Sequence, residues 1–524
     1  MPKSSAIILS FILLSTFSFG ICHFLPAQDR SPSAPSISQQ GRQYRIQHAV
    51  TILKELDRLL SIPNVASDLT NIKRNADMLK EMLERRGIRT QLLQLENAPP
   101  AVFGELLSPG ALRTVALYAH YDGQPVDPSL WKSNPWKPVL RDRPLEKGGH
   151  EISLDSLNSP LEGEWRLYAR SASDDKAPIM ALLAALDALR AGNIPLSVNL
   201  KLFFEGEEEA GSPNLAGLFE KYKDLLRADA WLLCDGPVHQ SRRMQLYFGA
   251  RGITELELTV YGPSRGLHSG HYGNWAPNPI SLLADLLSSM RDGEGKIRIP
   301  HFLDDVRPLT DSEHRALLEI PAVEGQLRND LGLAWNEGGQ EALAERILHP
   351  AINFRGIQSG HVGDKTTNSI PSEAIASIDF RLVPDQTPDR VRSLVEEHIR
   401  REGFFIVHET PTTETRRAHP KVIKLAWGPG YPAARTSMDL PLSRALIRVV
   451  EQSTGEPVVK MPSLGGSVPM YLFIEQLKTP VIGFPIVNHD NNQHASDENL
   501  RLQNLWDGIE VFASVLALLG KVWP

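Results

Sequence analysis

Three short apolar runs, Thr114 to Ala119, Val198 to Phe204 and Ala230 to Leu233, constrain this chain more than any other feature of it. They are β-prone and show no polar alternation, so they read as strands buried on both faces. Helix-like sequence such as Ala177 to Leu189 separates them, and that alternation predicts an α/β architecture with a doubly wound sheet. Each run ends on polar and acidic residues: His120 with Asp122, then Glu205 to Glu209, then Asp235. In open α/β sheets ligands sit beyond the carboxyl ends of the strands, so the three clusters are expected to share one crevice.

Near Phe248 the texture changes. Thr254 to Tyr261 alternates with period two, a helix-like stretch covers Pro279 to Met290, and strands follow at Ala351 to Gln358 and Ala374 to Leu382. A helix at Pro388 to Arg401 and a strand at Phe404 to His408 complete a β-α-β-β-α-β order, which suggests an inserted ferredoxin-like α+β domain. Residues 296–350 read as a charged, partly helical insertion in it. Thr410 to Thr436 is Pro/Gly-rich and reads as connecting chain, after which α/β character returns with a helix near Leu440 to Gln452. The expected division is therefore 44–248 and 410–524 for the large domain and 249–409 for the inserted one.

At the amino end Lys3 precedes an apolar run from Ala6 to Phe19, too short to span a bilayer and suited to a secretory signal over 1–27. Cleavage after Gly20 or Ala27 is compatible with it. A lipid anchor on Cys22 or an uncleaved anchor are the alternatives, so the mature protein is expected in a periplasm or outside the cell, free or tethered, with no transmembrane domain. Residues 28–43, rich in Ser, Pro and Gln, read as a flexible linker. The fold is expected to begin at Tyr44 with a helix whose apolar stripe runs from Ile46 to Leu60. Fifty-five basic residues against 62 acidic ones leave a net charge of -7, no footprint for nucleic acid. Two cysteines build no disulfide framework.

The His-x-Asp spacing of His120 and Asp122 places both side chains on one side of an extended segment. His120 could then ligate a metal while Asp122 fixes its tautomer, or the pair could be a plain loop hydrogen bond. Asp174 and Asp175 precede a helix, and Asp175 in particular has the position of an N-cap. Glu205, Glu207, Glu208 and Glu209 leave a buried strand together, a costly crowd without a cation to offset it. Asp235 repeats the arrangement, and His494 lies in a loop with no apolar support. Imidazole with carboxylate suits zinc, with manganese or cobalt as substitutes, and disfavours calcium. Two such ions sharing a carboxylate activate water and polarise a carbonyl, and a spare carboxylate serves as general base, so the residues point to hydrolysis of amide-like bonds.

The motifs AHYDGQPVDPSLW, RSASDDKAP, FFEGEEEAGSPNL, CDGPV, GLHSGHYGN, SIDFRLVPDQ, SLGGSVP and QHASDENL occur in that order. Over about residues 45 to 520 the chain resembles the co-catalytic zinc peptidases, a family of carnosine dipeptidases, glutamate carboxypeptidases and aminoacylases, and most of all their carnosinase-like branch. The resemblance implies two zinc ions per subunit, with Asp174 bridging, His120 and Asp235 at one ion and Glu209 and His494 at the other. It implies that Asp122 orients His120, that Glu208 is the general base, and that Glu205 and Glu207 are bystanders. His268 matches a histidine that reaches across a homodimer, formed through the inserted lid domain, to stabilise the oxyanion in the other subunit. Arg381, Asn368 and the turn Gly465, Gly466 and Ser467 match positions that hold the substrate's terminal carboxylate. Ala169, Ser171 and Ala177 stand where the family usually has glycine. The implied activity is hydrolysis of dipeptides or C-terminal peptide bonds; deacylation of N-acyl amino acids is the alternative, and a non-catalytic binding protein the remote one.

Overall fold

The computed structural model of the protein describes residues 33–158, 160–466 and 468–524. The signal reading of 1–27, with Cys22, and the site residue Ser467 lie outside the described residues.

All three apolar runs are strands, Thr114–His120, Asn199–Glu205 and Ala230–Leu233. They are neighbours in an eight-stranded sheet of order Arg89–Leu93, Ala101–Leu106, Asn199–Glu205, Thr114–His120, Ala230–Leu233, Val481–Gly483, Gln245–Tyr247, Val459–Met461. The four central strands run parallel, and the register sets His120 opposite Glu205 and Tyr118 opposite Leu233. Their carboxyl ends are therefore level, which is what brings the polar clusters together. Val115, Leu117 and Ala119 join a core with the helices Lys176–Ala191 and Leu502–Val522, while Ala116 and Tyr118 join a second core with Leu215–Lys221 and Met470–Gln476. Burial on both faces explains the missing alternation. A fully buried Leu or Phe contributes about 1.5–3 kcal/mol here, and Leu117→Ala, which adds a cavity, costs about 2–5 kcal/mol.

The first helix is Ala34–Leu60, so residues 34–43, expected as linker, are helical. The reason is tertiary: Ile37 and Gly41 are buried, and a Cβ on Gly41 would stand 3.2 Å from Glu510 Cα of the last helix. Composition alone carried no sign of that contact.

A four-stranded antiparallel sheet lies in the order Asn499–Arg501, Arg166–Tyr168, Val139–Arg141, Glu151–Ile152. Its first pair joins chain segments that sequence keeps far apart, with Asn499 opposite Tyr168 and Arg501 opposite Arg166.

The remaining five-stranded sheet has the order Ala351–Gln358, Glu373–Leu382, Gly252–Tyr261, Val422–Tyr431, Phe405–Val407. Pro279–Met290 and Pro388–Arg401 pack on one face of it, through Leu283, Leu287, Leu394 and Ile399 against Leu256, Leu258, Ile378 and Phe380. Both helices start on a side-chain cap followed by proline, Asn278 to the Ile280 N–H and Thr387 to the Arg390 N–H. Residues 422–431, expected as connecting chain, form a strand antiparallel to Gly252–Tyr261. Gly428, Pro429 and Gly430 hid it, and the register shift between Thr254 and Leu256 shows why they are tolerated: the proline falls in a bulge, where no ladder N–H is needed. The insertion 296–350 carries the helices Asp311–Glu319, Glu324–Asp330 and Leu343–Arg346. Among the described residues no helix is long and apolar enough to cross a membrane.

Candidate metal centre

His120 ends its strand fully buried, with Nε2 2.9 Å from Asp174 Oδ1 and Nδ1 3.4 Å from Asp122 Oδ1. His494 arrives from the other side of Asp174, with Nε2 3.2 Å from Asp174 Oδ2 and 3.2 Å from Glu209 Oε2. One carboxylate, Asp174, thus stands between two imidazoles. Ligand atoms of His120, Asp174 and Glu209 lie within 4.8 Å of one another, and so do those of His120, Glu208 and Asp235. Each of the six residues singled out as ligand or base, His120, Asp174, Glu208, Glu209, Asp235 and His494, therefore belongs to one cluster.

Asp122 does more than orient a ring. Its two oxygens accept the backbone N–H groups of Glu208 at 3.1 Å and Glu209 at 3.0 Å, so one buried carboxylate aims both glutamates while facing His120. Asp175 occupies the N-cap position of Lys176–Ala191, but its side chain is turned to another use. It makes no capping bond, and its Oδ2 accepts the His120 backbone N–H at 3.3 Å. Glu207 accepts from the Asn214 backbone and side chain, Glu205 accepts the Tyr118 hydroxyl at 2.7 Å, and neither belongs to the two groups of candidate ligand atoms.

The electrostatics fit a cation. Burial pushes the Asp235 carboxyl up to about 7, with Asp174 adding to it, and burial with Asp235 and Glu209 nearby holds Glu208 well above its ordinary value. His120 is raised against its own burial by hydrogen bonds to Asp122 and Asp174, and His494 is pushed up to about 10 by Asp174 and Glu209. Asp174, despite burial, is held well below the usual carboxylate range by the two rings. Four carboxylates outnumber two imidazoliums, and an imidazole–carboxylate donor set of this kind suits zinc, manganese or cobalt.

Ser171, at a position where the family usually has glycine, adopts φ +60°, a left-handed conformation that glycine takes at no steric cost. The serine is held there: its backbone N–H bonds Glu498 Oε2 at 2.8 Å and its hydroxyl accepts Asn64 Nδ2–H at 2.9 Å. Sequence reading also missed Gln493, which donates to Asp174 Oδ2 at 2.6 Å, Gln124, which donates to Glu209 Oε2 at 2.8 Å, and Glu498. For Gln493 the only signal was its place beside His494.

The other predicted residues lie on the small sheet and at its root. Arg381 pairs opposite Ile253 and donates Nε–H to Asp379 Oδ2 at 2.8 Å. The Gly465–Gly466 turn is close to the same root, since Leu464 bridges to Ala250 and a Cβ on Gly465 would meet Ile347 at 3.4 Å. Asn368 is elsewhere. Its carbonyl accepts the Ser269 N–H at 2.9 Å, beside His268, which pairs with Ser369. Asn368 precedes the Glu373 end of the strand Glu373–Leu382, whereas Arg381 lies near its other end, about 27 Å from Glu373 at roughly 3.4 Å per residue. The structure thus divides the expected carboxylate pocket: Arg381 goes with the glycine turn, Asn368 with His268. His268 is exposed and locally engaged, accepting the Gly270 N–H at 3.1 Å with its ring 4.5 Å from that of His271. A cavity of about 990 Å³ lies in the insertion between Lys296, Trp335 and His349 and shares no residue with the metal cluster.

The family model of peptidase family M20/M25/M40 matches residues 116–518. A Cys-Gly metallodipeptidase of Schizosaccharomyces pombe is 27% identical over 486 residues, 90% of this chain and 95% of the relative. A Beta-Ala-His dipeptidase of Homo sapiens is 28% identical over 432 residues, 81% of this chain and 78% of the relative. Among solved structures, an M20 family metallo-carboxypeptidase from Sulfolobus solfataricus superposes with a TM-score of 0.72 at 29% identity, covering 90% of this chain and 99% of its own. Human carnosine dipeptidase 1 shares the fold at a TM-score of 0.70 and 24% identity, over 94% of this chain and 100% of its own.

Proposed function

Because the chain belongs to peptidase family M20/M25/M40, and so is a metal-dependent hydrolase of the carnosinase-like dipeptidase branch, we propose that it cleaves dipeptides bearing a free terminal carboxylate. The observation that carries this reading is the single cluster in which Asp174 stands between His120 and His494, with Glu208, Glu209 and Asp235 within reach. Two zinc ions are the proposed cofactor, with manganese or cobalt able to substitute, His120 and Asp235 serving one ion, Glu209 and His494 the other, and Asp174 both. When bound, such ions make a water acidic near neutral pH and polarise the carbonyl under attack.

The rest is supplied by this chain's own groups. Glu208 takes a proton from the attacking water on its carboxylate and hands it to the nitrogen of the leaving amine as the C–N bond breaks; its raised proton affinity suits a carrier that must hold the proton between the two events. Asp122 keeps Glu208 aimed by gripping its backbone N–H. Arg381, at the same root of the small sheet as the Gly465–Gly466 turn, offers a guanidinium fork to the substrate carboxylate, and Ser467 is proposed as a further contact to it.

His268 and Asn368 are together but away from Arg381, and that division supports their delivery to the site of a second copy, in a homodimer made through residues 249–409 with the strand 422–431 added. That unit is the proposed lid on a catalytic body formed by 44–248 and the remainder of the chain. Export rests on the signal-like segment 1–27, with a periplasmic or secreted destination.

Deacylation of N-acyl amino acids would use the same cluster and the same arginine. Two dipeptidases among the relatives favour the peptide reading. Side-by-side hydrolysis of an unblocked dipeptide and an N-acetyl amino acid by the zinc-loaded protein tests it, with Glu208→Ala as the inactive partner. Preference for the acetylated substrate would replace the peptidase by the deacylase, and metal binding with neither activity would favour the binding protein.

A further inference from the structure

His494 sits on a loop that bonds within itself, through Asn492 Nδ2 to the Asp497 carbonyl at 3.2 Å and the Ala495 N–H to the Asn492 carbonyl at 3.0 Å, and that is also tied to the rest of the fold. Asn492, His494 and Asp497 all have left-handed backbone, with φ of 56°, 60° and 58°, which L residues adopt at a cost. Two carboxylates that flank the loop tie it to the rest of the fold. At the entrance, Asp490 is gripped by Arg166 at 2.7 Å and Arg501 at 2.8 Å, guanidiniums from the paired strands of the antiparallel sheet. At the exit stands Glu498, fully buried, and its contacts are of another kind.

Glu498 Oε1 accepts the backbone N–H groups of Ser173 and Asp174, each at 2.9 Å, and Oε2 accepts the Ser171 N–H at 2.8 Å and an N–H of Arg170 at 2.9 Å. Arg170 also donates to the carbonyl of Ala495, the residue after His494, at 3.2 Å, and the Ala169 N–H reaches the Glu498 carbonyl at 3.2 Å. A single carboxylate on the histidine's loop thus holds the backbone of the aspartate that stands between the two rings, and Arg170 closes the link back to the histidine.

We infer that Glu498 is a positioning residue that locks Asp174 and His494 at a fixed separation, so that the metal meets a preformed pair. The inference rests on the proposed assignment of those two residues as metal ligands. Partners of this rank, which touch ligands rather than metal, commonly govern affinity by 10–100-fold. Aspartate cannot replace glutamate here, because a shorter side chain cannot span three amides and the guanidinium. Glutamine turns a donor toward amides that need an acceptor.

The test is zinc affinity, by chelator competition on the full chain, for wild type, Glu498→Gln and Arg170→Lys, with the cobalt-loaded absorption spectrum and the melting temperature of the metal-free protein recorded beside it. Arg170→Lys keeps the charge and loses the fork, and it guards against a glutamine variant that fails to fold. The expected result is a 10–100-fold loss of zinc affinity in Glu498→Gln, a smaller loss in Arg170→Lys and an altered cobalt spectrum in both. A fall in metal-free melting temperature with zinc affinity unchanged would reduce Glu498 to a structural role and overturn the inference alone. A wild-type protein that binds no zinc would overturn the inference together with the ligand assignment beneath it.

Discussion

The metal cluster and the His268 corner of the small sheet carry residues of equal chemical promise and are built in opposite ways. Around Asp174, Glu208 and Glu209 the backbone and side chains are held by polar neighbours: buried Asp122 grips two amides, buried Glu498 three, and half-buried Gln124 and Gln493 each grip a carboxylate. Around His268 and Asn368 the chain offers a two-residue strand and a one-turn helix, open to solvent. A site finished within one chain is over-determined, whereas a corner left open is finished by whatever closes on it. The first is tied down within one chain, and the second presents its polar groups to solvent.

The largest expected effect breaks the finished half. Glu208→Gln should lower kcat by about 10²–10⁴-fold while zinc content stays at the wild-type level; measured metal loss in step with activity would make Glu208 a ligand instead of a base. Next, His268→Ala should lower kcat by about 10²–10³-fold, again with metal retained. The comparison then sharpens, because mixing Glu208→Gln with His268→Ala subunits should restore about a quarter of wild-type activity if the open corner serves the other copy of a two-fold dimer. No recovery after verified subunit exchange would place His268 in its own chain's site. Arg381→Lys should leave kcat nearly unchanged and raise KM by about 10–100-fold, the worth of one charge-assisted hydrogen bond. An unchanged KM would remove Arg381 from substrate binding.

The smallest effect concerns Asp490. Burial alone would raise its carboxyl, but Arg166 and Arg501 hold it well below the usual carboxylate range. A depressed folded pKa gives stability that is present above the unfolded value of about 3.9 and lost as pH falls through that value toward the folded one. Melting temperature measured from pH 6 down to pH 3 should therefore fall less steeply in Asp490→Asn than in wild type. Parallel curves would show that the pair of arginines contributes nothing through that charge.

Much of the metal cluster was legible in the sequence because its residues follow strands that are buried on both faces, where apolar runs are unmistakable and side-chain direction is fixed. His120, Glu208, Glu209 and Asp235 are delivered by such strands. Glu498 was not legible, since an acidic residue in a polar loop has no periodicity to betray it and its arginine is 328 residues away. Residues 34–43 were misjudged for the same reason, their apolar contacts being with the last helix, and 422–431 because turn-forming residues outweighed the apolar alternation. Local sequence thus reports what local physics decides, and the long-range polar contacts that tune the centre leave no trace in it.

The pairing of Asn499–Arg501 with Arg166–Tyr168 also sets a timetable. Asp174 can be synthesised, folded and exposed to metal long before His494 exists, yet its neighbours acquire their acceptor only when the strand after the histidine loop docks. The proposed centre therefore joins residues from early and late in the chain, and its late part is supplied by the segment that holds His494 and Glu498. A polypeptide that ends before residue 490 lacks both His494 and Glu498, so on the proposed assignment a truncated product is expected to hold no complete centre, which zinc binding by such a product would check.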